Sequence, residues 1–335
     1  MRLGKTNLEV NKIGFGALPI QRCSMDESIE IFKKAYDSGI NFYDTARFYT
    51  DSEEKLGNAF EDLRENIFLA SKTAAETTED FWSDLETSLK SLKTDYLDLY
   101  QFHNLSFLPK AEDELYKAML DAKDNGMINH IGITTHKVTF ANDAIDLGIY
   151  ETLQYPFSYL SGQEELNVLQ RCKDLDVGFI AMKSMAGGLI KNAKASFAYM
   201  NQFDNVLPIW GIQKLSELDE FLSYPENLVL DDKLKLDIID DKKELGDDFC
   251  RGCGYCMPCP KEIKINMCAR MSLWIRRFPT EPYLSDEWQK TMKDSEKCIE
   301  CRKCVDNCPY ELDIPRLLKE NYDDYQNVLF GKTKV

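Results

Sequence analysis

From residue 10 to about residue 225 the chain alternates short β-type runs with amphipathic helical patterns, and the β-type runs number eight. They are Ile13–Pro19, Asn41–Asp44, Ile67–Ser71, Tyr96–Phe102, His130–Thr134, Thr152–Tyr155, Gly178–Met182 and Val206–Trp210. Strict alternation implies parallel strands joined by right-handed crossovers. Eight such units close into a (β/α)8 barrel, with the active site at the carboxyl ends of the strands. An open doubly wound sheet is the alternative from pattern alone. The tract Gly14-Phe15-Gly16-Ala17-Leu18-Pro19 does not favour it, because it lacks the third glycine and the helix start of a dinucleotide-binding turn.

Helix starts are legible between the runs. Ser24 and Glu27 form a capping-box pair ahead of Ile29, Phe32 and Tyr36, and Gly39 supplies the stop. Asp51 and Glu54 precede Leu56, Phe60 and Leu63 in the same way. Phe81, Leu85, Leu89 and Leu92 mark a third apolar stripe, and Leu115, Met119 and Ala122 a fourth.

After Tyr224-Pro225 the composition changes, which predicts a barrel over residues 1–230 and a second, mainly helical domain over 231–335. That second part contains Cys250, Cys253, Cys256 and Cys259, followed by Pro260, and then Cys298, Cys301, Cys304 and Cys308, followed by Pro309. The later run has the thiolate spacing of bacterial ferredoxins that hold 4Fe–4S cubanes. Two runs imply two clusters and one-electron chemistry in a reducing compartment. Two tetrahedral zinc sites are the other use of eight thiolates, although zinc ribbons more often pair CxxC units. A disulfide framework fits poorly with this spacing. Cys23, Cys172 and Cys268 are scattered and read as ordinary thiols, Cys172 and Cys268 as structural ones.

The formal net charge of −16 argues against general affinity for nucleic acid or anionic membranes. Neither a signal-type apolar core in Met1 to Val10 nor a membrane-length apolar stretch is present, so a cytoplasmic protein, and with the clusters an anaerobic setting, is expected.

Four polar residues stand at or near consecutive strand ends: Asp44, Tyr49, Lys72 and His103. Taken singly they read as a turn residue, a packing aromatic, a surface charge and a loop histidine. Taken together, at the mouth of a barrel, they read as catalytic. Asn41-Phe42-Tyr43-Asp44-Thr45-Ala46 with Tyr49, Ala70-Ser71-Lys72-Thr73, and Asp95-Tyr96-Leu97-Asp98-Leu99-Tyr100-Gln101-Phe102-His103 resemble the aldo-keto reductase family over residues 1–225. The tract from Cys250 to Asp323, with Arg251-Gly252-Cys253-Gly254-Tyr255-Cys256-Met257-Pro258-Cys259-Pro260, resembles a branch with a ferredoxin-like tail.

The resemblance implies reduction of a carbonyl on a small molecule, or oxidation of an alcohol, with NAD(P)H as cofactor. A phenol near pKa 10 is a poor acid at neutral pH unless a cation stabilises its phenolate. Lys72 supplies that cation, Asp44 holds it, Tyr49 donates the proton and His103 orients the carbonyl oxygen. The same resemblance assigns Gly16, Ala17 and Asp44 to the cofactor side, with Thr134 and Gln154 at the nicotinamide amide. Thr135 stands where many members have Asn, Met182 where an aromatic often stacks on the ring, and Lys183 faces the pyrophosphate. The Gly211-Ile212-Gln213-Lys214 loop lacks the arginine expected for a 2′-phosphate, which leaves NAD and NADP both open.

Two-cluster ferredoxins imply a crossed pairing: Cys250, Cys253 and Cys256 with Cys308, and Cys298, Cys301 and Cys304 with Cys259. The first run has two residues rather than three before its last cysteine, a departure from that pattern. A hydride carries two electrons and a cubane accepts one. The clusters are therefore structural, or fed by a ferredoxin or flavoprotein, or matched to a substrate radical. Arg276-Arg277 either docks an acidic ferredoxin or salt-bridges within an acidic surface. Phe48 and Phe157 either line the pocket or simply pack. A second reading makes the chain an electron-transfer or redox-sensing protein with the barrel as scaffold.

Overall fold

The structure is a computed structural model that describes residues 1–245, 248–277 and 280–334. Its strands are β1 (Gly14–Gly16), β2 (Phe42–Asp44), β3 (Phe68–Thr73), β4 (Leu97–His103), β5 (Ile128–Thr134), β6 (Thr152–Pro156), β7 (Gly178–Met182) and β8 (Val206–Gly211). Each pairs in parallel with the next and β8 returns to β1, so the sheet is a closed barrel. The helices between them are α1 (Met25–Asp37), α2 (Ser52–Phe60), α3 (Thr78–Leu92), α4 (Glu114–Asp124), α5 (Val138–Leu147), α6 (Gln163–Asp174), α7 (Ala193–Met200) and α8 (Leu215–Leu222). The open sheet is thereby excluded.

Local chemistry accounts for the element ends. Ser24 and Glu27 form the reciprocal capping box at the start of α1. At α2 the expected Asp51 cap is absent. Its carboxylate instead pairs with Lys55 at 2.8 Å, because the Lys55 ammonium is buried and needs a counter-charge. β1 stops at Gly16, and Pro19 opens a 3-10 turn over Pro19–Arg22, since proline fixes φ and brings no donor to a ladder.

Side chains alternate across a strand with period two, which sorts the barrel into layers. Phe42, Ala70, Leu99, Ile180, Leu207 and Ile209 share one apolar cluster with Leu3 and Val10 of the N-terminal segment. Leu3 is fully buried, and the segment is folded back by an Arg2–Glu9 bridge. Asp44 follows Phe42 by two residues, Lys72 follows Ala70 by two, and Gln101 and His103 follow Leu99 by two and four. The polar residues therefore share the inward phase, one layer nearer the carboxyl ends of the strands. The opposite phase faces the helices: Tyr43 packs on Phe32 and Phe60 with ring centroids 6.0 and 4.6 Å away.

The chain divides into two compact units: Met1–Ser184 with Ala193–Asp231, and Met185–Asn192 with the chain from Asp232 onward. In the second unit Lys191 donates to the Arg276 carbonyl at 3.1 Å and Asn192 to Asp237 at 3.0 Å. Its helices are α9 (Asp232–Leu245), α10 (Ile265–Cys268), α11 (Met271–Arg277), α12 (Asp286–Lys293), α13 (Lys303–Asp306) and α14 (Ile314–Leu329). Ile263, Ile265, Met271, Ile275, Met292, Leu317 and Tyr325 form a small buried core. Asn321 on α14 ties it together, accepting from Ser272 N at 2.9 Å and donating to the Leu317 carbonyl at 2.8 Å. Cys172 and Cys268 are buried, and the Cys268 thiol is directed at the Thr291 carbonyl. Among the described residues no helix is long and apolar enough to cross a membrane.

Candidate functional site

The ends of β2, β3 and β4 bring Asp44, Lys72 and His103 together. Lys72 Nζ donates to Asp44 Oδ1 and to the Thr45 carbonyl, each at 2.6 Å. Their side chains are only 1% and 2% exposed. Tyr49, on the loop between β2 and α2, sets its ring 5.2 Å from Lys72 Nζ and meets the His103 ring edge-on at 5.8 Å. The four residues picked out at or near strand ends thus share one locus.

Burial dominates the electrostatics there. It pushes the Lys72 ammonium down and the Asp44 carboxyl up, each against the attraction of the other. Burial, with Lys72 adding to it, lowers His103 to about 3, so its imidazole is neutral at physiological pH. Its Nδ1 is buried with no hydrogen-bond partner in the structure. Gln101, on β4, donates to Gln154 at 2.9 Å and approaches Asp44 at 3.5 Å.

Beneath the Tyr49 loop lies a web that sequence reasoning missed. Glu53, on α2 and 2% exposed, accepts from Ser71 Oγ at 2.6 Å and pairs with Arg47. Arg47 N donates to the Lys72 carbonyl at 3.1 Å. Thr45 Oγ1 donates to Ser52 Oγ at 2.9 Å, and Ser52 to the Ala17 carbonyl at 3.1 Å. An acid in the first turn of a helix reads as a solvated charge or a dipole partner. Only the outward phase of Ser71 could have signalled that Glu53 turns inward. His136, just past β5, was also missed; it is 4% exposed and its pKa is held well below the usual range by burial, with Lys183 and His103 contributing.

The residues assigned to a cofactor fall at the same end of the barrel. Thr134 ends β5 and Gln154 lies in β6; both are buried, and Thr134 Oγ1 has no hydrogen-bond partner. Thr135 N donates to the Gln154 carbonyl at 3.1 Å, and Thr135 Oγ1 accepts from Lys137 N at 3.2 Å. Met182 ends β7, and Lys183 follows it in a left-handed conformation with φ of 58°. Gly16 and Ala17 sit in the barrel wall, where a Cβ on Gly16 would meet the Trp210 carbonyl oxygen at 3.2 Å. Phe157 packs among Phe179, Tyr199 and Phe203, whereas Phe48 is 64% exposed with its ring 6.5 Å from His103.

In the second unit the thiols fall into two groups. Burial pushes the Cys250 thiol up and Cys256 up to about 12, and Cys253 and Cys308 lie close enough to add to both. Cys298 and Cys301 act likewise on Cys304, and these three line one cavity with Cys259 and Cys256. Backbone amides point at two sulfurs: Gly252 N at Cys250 and Lys261 N at Cys259, each at 3.4 Å. Gly252 adopts φ of +66°, and a Cβ there would overlap the Arg270 guanidinium at 2.3 Å. Among the described residues no three His, Cys, Asp or Glu side chains gather closely enough for a single metal ion. Arg276 is engaged by Asp324 at 2.5 and 2.8 Å, whereas the side chain of Arg277 and all of Phe278 lie outside the described residues.

Comparison with known proteins matches these two units to two family models. Residues 12–235 match the aldo/keto reductase family, and residues 249–312 match a 4Fe-4S dicluster domain. Aldo-keto reductase YhdN of Bacillus subtilis is 30% identical over 207 residues, covering 56% of this chain and 62% of that protein. L-galactose dehydrogenase of Arabidopsis thaliana is 29% identical over 209 residues, covering 56% and 66%. The chain thus spans somewhat under two thirds of the length of these curated relatives. An aldo-keto reductase from Klebsiella pneumoniae, solved in complex with NADPH, superposes with a TM-score of 0.62 at 21% identity, covering 72% of this chain and 93% of that one. At that identity the likeness speaks for the fold.

Proposed function

The chain belongs to the aldo/keto reductase family, and on that premise we propose that it is a nicotinamide-dependent oxidoreductase acting on the carbonyl or alcohol of a small molecule. The observation that carries the reading is the Lys72–Asp44 pair, nearly withdrawn from water and set against the ring of Tyr49. A buried ion pair costs several kcal/mol per ion to desolvate. A barrel serving only as a scaffold has no use for one aimed at a phenol.

Bound NAD(P)H supplies a hydride, and bound 4Fe–4S clusters exchange single electrons. Tyr49 gives its hydroxyl proton to the carbonyl oxygen, and the Lys72 ammonium stabilises the phenolate left behind. Asp44 and the Thr45 carbonyl fix that ammonium. His103, neutral at working pH, donates one N–H toward the same oxygen. In the oxidative direction the Tyr49 phenolate takes the proton back. The unpartnered Thr134 hydroxyl, with Gln154 beside it, fits a carboxamide, and Met182 offers an apolar platform. NAD or NADP serves equally on these grounds.

Cys250, Cys253, Cys256 and Cys308 would hold one cluster, and Cys259, Cys298, Cys301 and Cys304 the other. Triple cysteine runs followed by Cys-Pro, with Cys259, Cys298, Cys301 and Cys304 around one cavity and amides directed at two sulfurs, suit cubanes better than mononuclear zinc. A reducing compartment such as the cytoplasm keeps these thiols available.

Anaerobic purification followed by iron, sulfide and zinc analysis tests the clusters, and NADH or NADPH is then added while the cluster absorbance is followed. Carbonyl turnover by Tyr49→Phe tests the barrel. Turnover unchanged in that variant would remove the reductase mechanism, and zinc without sulfide would remove the clusters.

A further inference from the structure

Deepening the iron–sulfur reading above, on which it rests, we propose that the thiol group Cys259, Cys298, Cys301 and Cys304 is the electron port, and that its rim docks an acidic one-electron carrier protein of the ferredoxin class. The two thiol groups differ in access. Cys250, Cys256 and Cys308 are buried and Cys253 is partly exposed, whereas Cys301 is exposed and Cys259, Cys298 and Cys304 are partly so. An electron carrier must approach closely, and the second group, which has the one exposed thiol of the eight and no buried one, offers it the larger surface.

The charge around that group is opposite to that of the molecule. Segments 257–264 and 297–304 carry five cations (Lys261, Lys264, Lys297, Arg302 and Lys303) against two carboxylates, Glu262 and Glu300, in a chain of net charge −16. All of these cations are exposed, and Lys297 is paired with Asp294 at 2.8 Å. Lys261, Arg302 and Lys303 line the mouth of the cysteine cavity together with Ile299, which is 59% exposed. Arg302 lies 3.6 Å from Asp313, an exposed pair that binds its charge weakly. Lys261 and Lys303 have no ion-pair partner among the described residues. An exposed apolar residue ringed by cations is the layout of a transient, electrostatically steered interface. A basic spot on a chain of net charge −16 also orients an acidic partner, which the molecule as a whole repels.

The step is simple in balance. One electron leaves the reduced carrier and one enters the oxidised cluster, with no bond made or broken and no proton moved. The carrier is oxidised by one electron and the cluster reduced by one.

The experiment uses the anaerobically purified full chain and, as probe, an acidic two-cluster bacterial ferredoxin reduced with dithionite. Stopped-flow absorbance gives the second-order rate of electron transfer, and titration of the oxidised proteins gives a dissociation constant independent of turnover. We expect both to weaken at least tenfold between low ionic strength and about 0.3 M salt, where the Debye length falls well below 10 Å. The triple variant Lys261→Glu, Arg302→Glu, Lys303→Glu should lose at least tenfold in both at low salt, with iron and sulfide content unchanged. Should that variant lose its clusters, the double neutral variant Lys261→Gln, Lys303→Gln should still lose about threefold. Lys33→Glu with Lys90→Glu, two exposed lysines of the barrel, should change neither. Wild-type affinity and salt dependence in the loaded rim variants would overturn the port. Equal binding to phosphatidylglycerol vesicles would overturn it in favour of a general anion patch. A purified chain holding no iron and sulfide would instead overturn the reading on which the port rests.

Discussion

Asp44 and Lys72 are withdrawn from water inside a closed sheet, whereas Cys301 stands at the surface of a unit whose helices α10 and α13 have four residues each. The barrel holds its reactive groups by backbone geometry. Its strands, paired all the way round, place polar side chains in phase with an apolar layer, and a second ring of hydrogen bonds locks them. Around its cysteines the tail has too little periodic structure to do this: α10 and α13 do not repay their own nucleation, and the longer α9 and α14 lie outside the cysteine runs. Its cysteines are arranged mostly by loops, and metal binding at sites of that kind couples to folding. The contrast teaches that the barrel sets its geometry through its sheet, whereas the tail is expected to gain order from what its cysteines hold.

The largest expected effect would break the barrel side of that contrast. Tyr49→Phe should lower kcat for carbonyl reduction by about 10²–10⁴-fold while NAD(P)H affinity, followed by fluorescence, stays within about twofold. A residual rate near wild type would mean that the preset geometry serves something else. The next addresses the tail. Removing iron with a chelator should abolish the helical circular dichroism of α9 to α14 while leaving the barrel's thermal transition in place. A single merged transition that shifts as a whole would show that the two units are not separable in stability.

A smaller effect sharpens what presets the barrel. Glu53→Gln keeps the volume but weakens the bonds to Ser71 and Arg47, and should cost about 1–3 kcal/mol in urea unfolding. It should lower kcat about tenfold with KM nearly constant, because Glu53 touches the loop under Tyr49 and not the substrate. A change in KM alone would argue against that role.

The smallest concerns pH. In the folded state His103 titrates near 3, below its ordinary value of about 6.5. The unfolded chain therefore binds the proton first as pH falls. His103 leaves stability unaffected above about pH 7 and lowers it progressively from about 6.5 towards 3. Unfolding midpoints of wild type and His103→Gln should converge at neutral pH and diverge below pH 6, with wild type losing stability faster. For the same reason no inflection in the rate between pH 6 and 9 should trace to His103.

What could be read in the chain, and what could not, follows the same division. Asp44, Lys72 and His103 were legible because they stand at consecutive strand ends, where a barrel places its active site; that they share the inward phase of Phe42, Ala70 and Leu99 came from the structure. Tyr49 was legible from its place just beyond the second strand and from its motif, although a loop residue has no phase of its own. Glu53 and Arg47 were illegible because a charge in the first turn of a helix is usually solvated, and only the packing of α2 on Ser71 turns it inward. The Asp51 cap failed for a related reason, its carboxylate being taken by the buried Lys55. Leu3 and Val10 looked like an unremarkable N-terminus, yet they help fill the apolar layer at the base of the barrel.

The sequence by itself determined the number of strands, their alternation with helices, the place of the polar residues at strand ends and the thiol spacing. These are local periodicities, set by backbone geometry at each residue. Closure of β8 onto β1, the near-total burial of Lys72 and Asp44 and the unequal exposure of the two thiol groups were decided only by the tertiary structure. Those depend on contacts between segments far apart in the chain, and no local period carries that information.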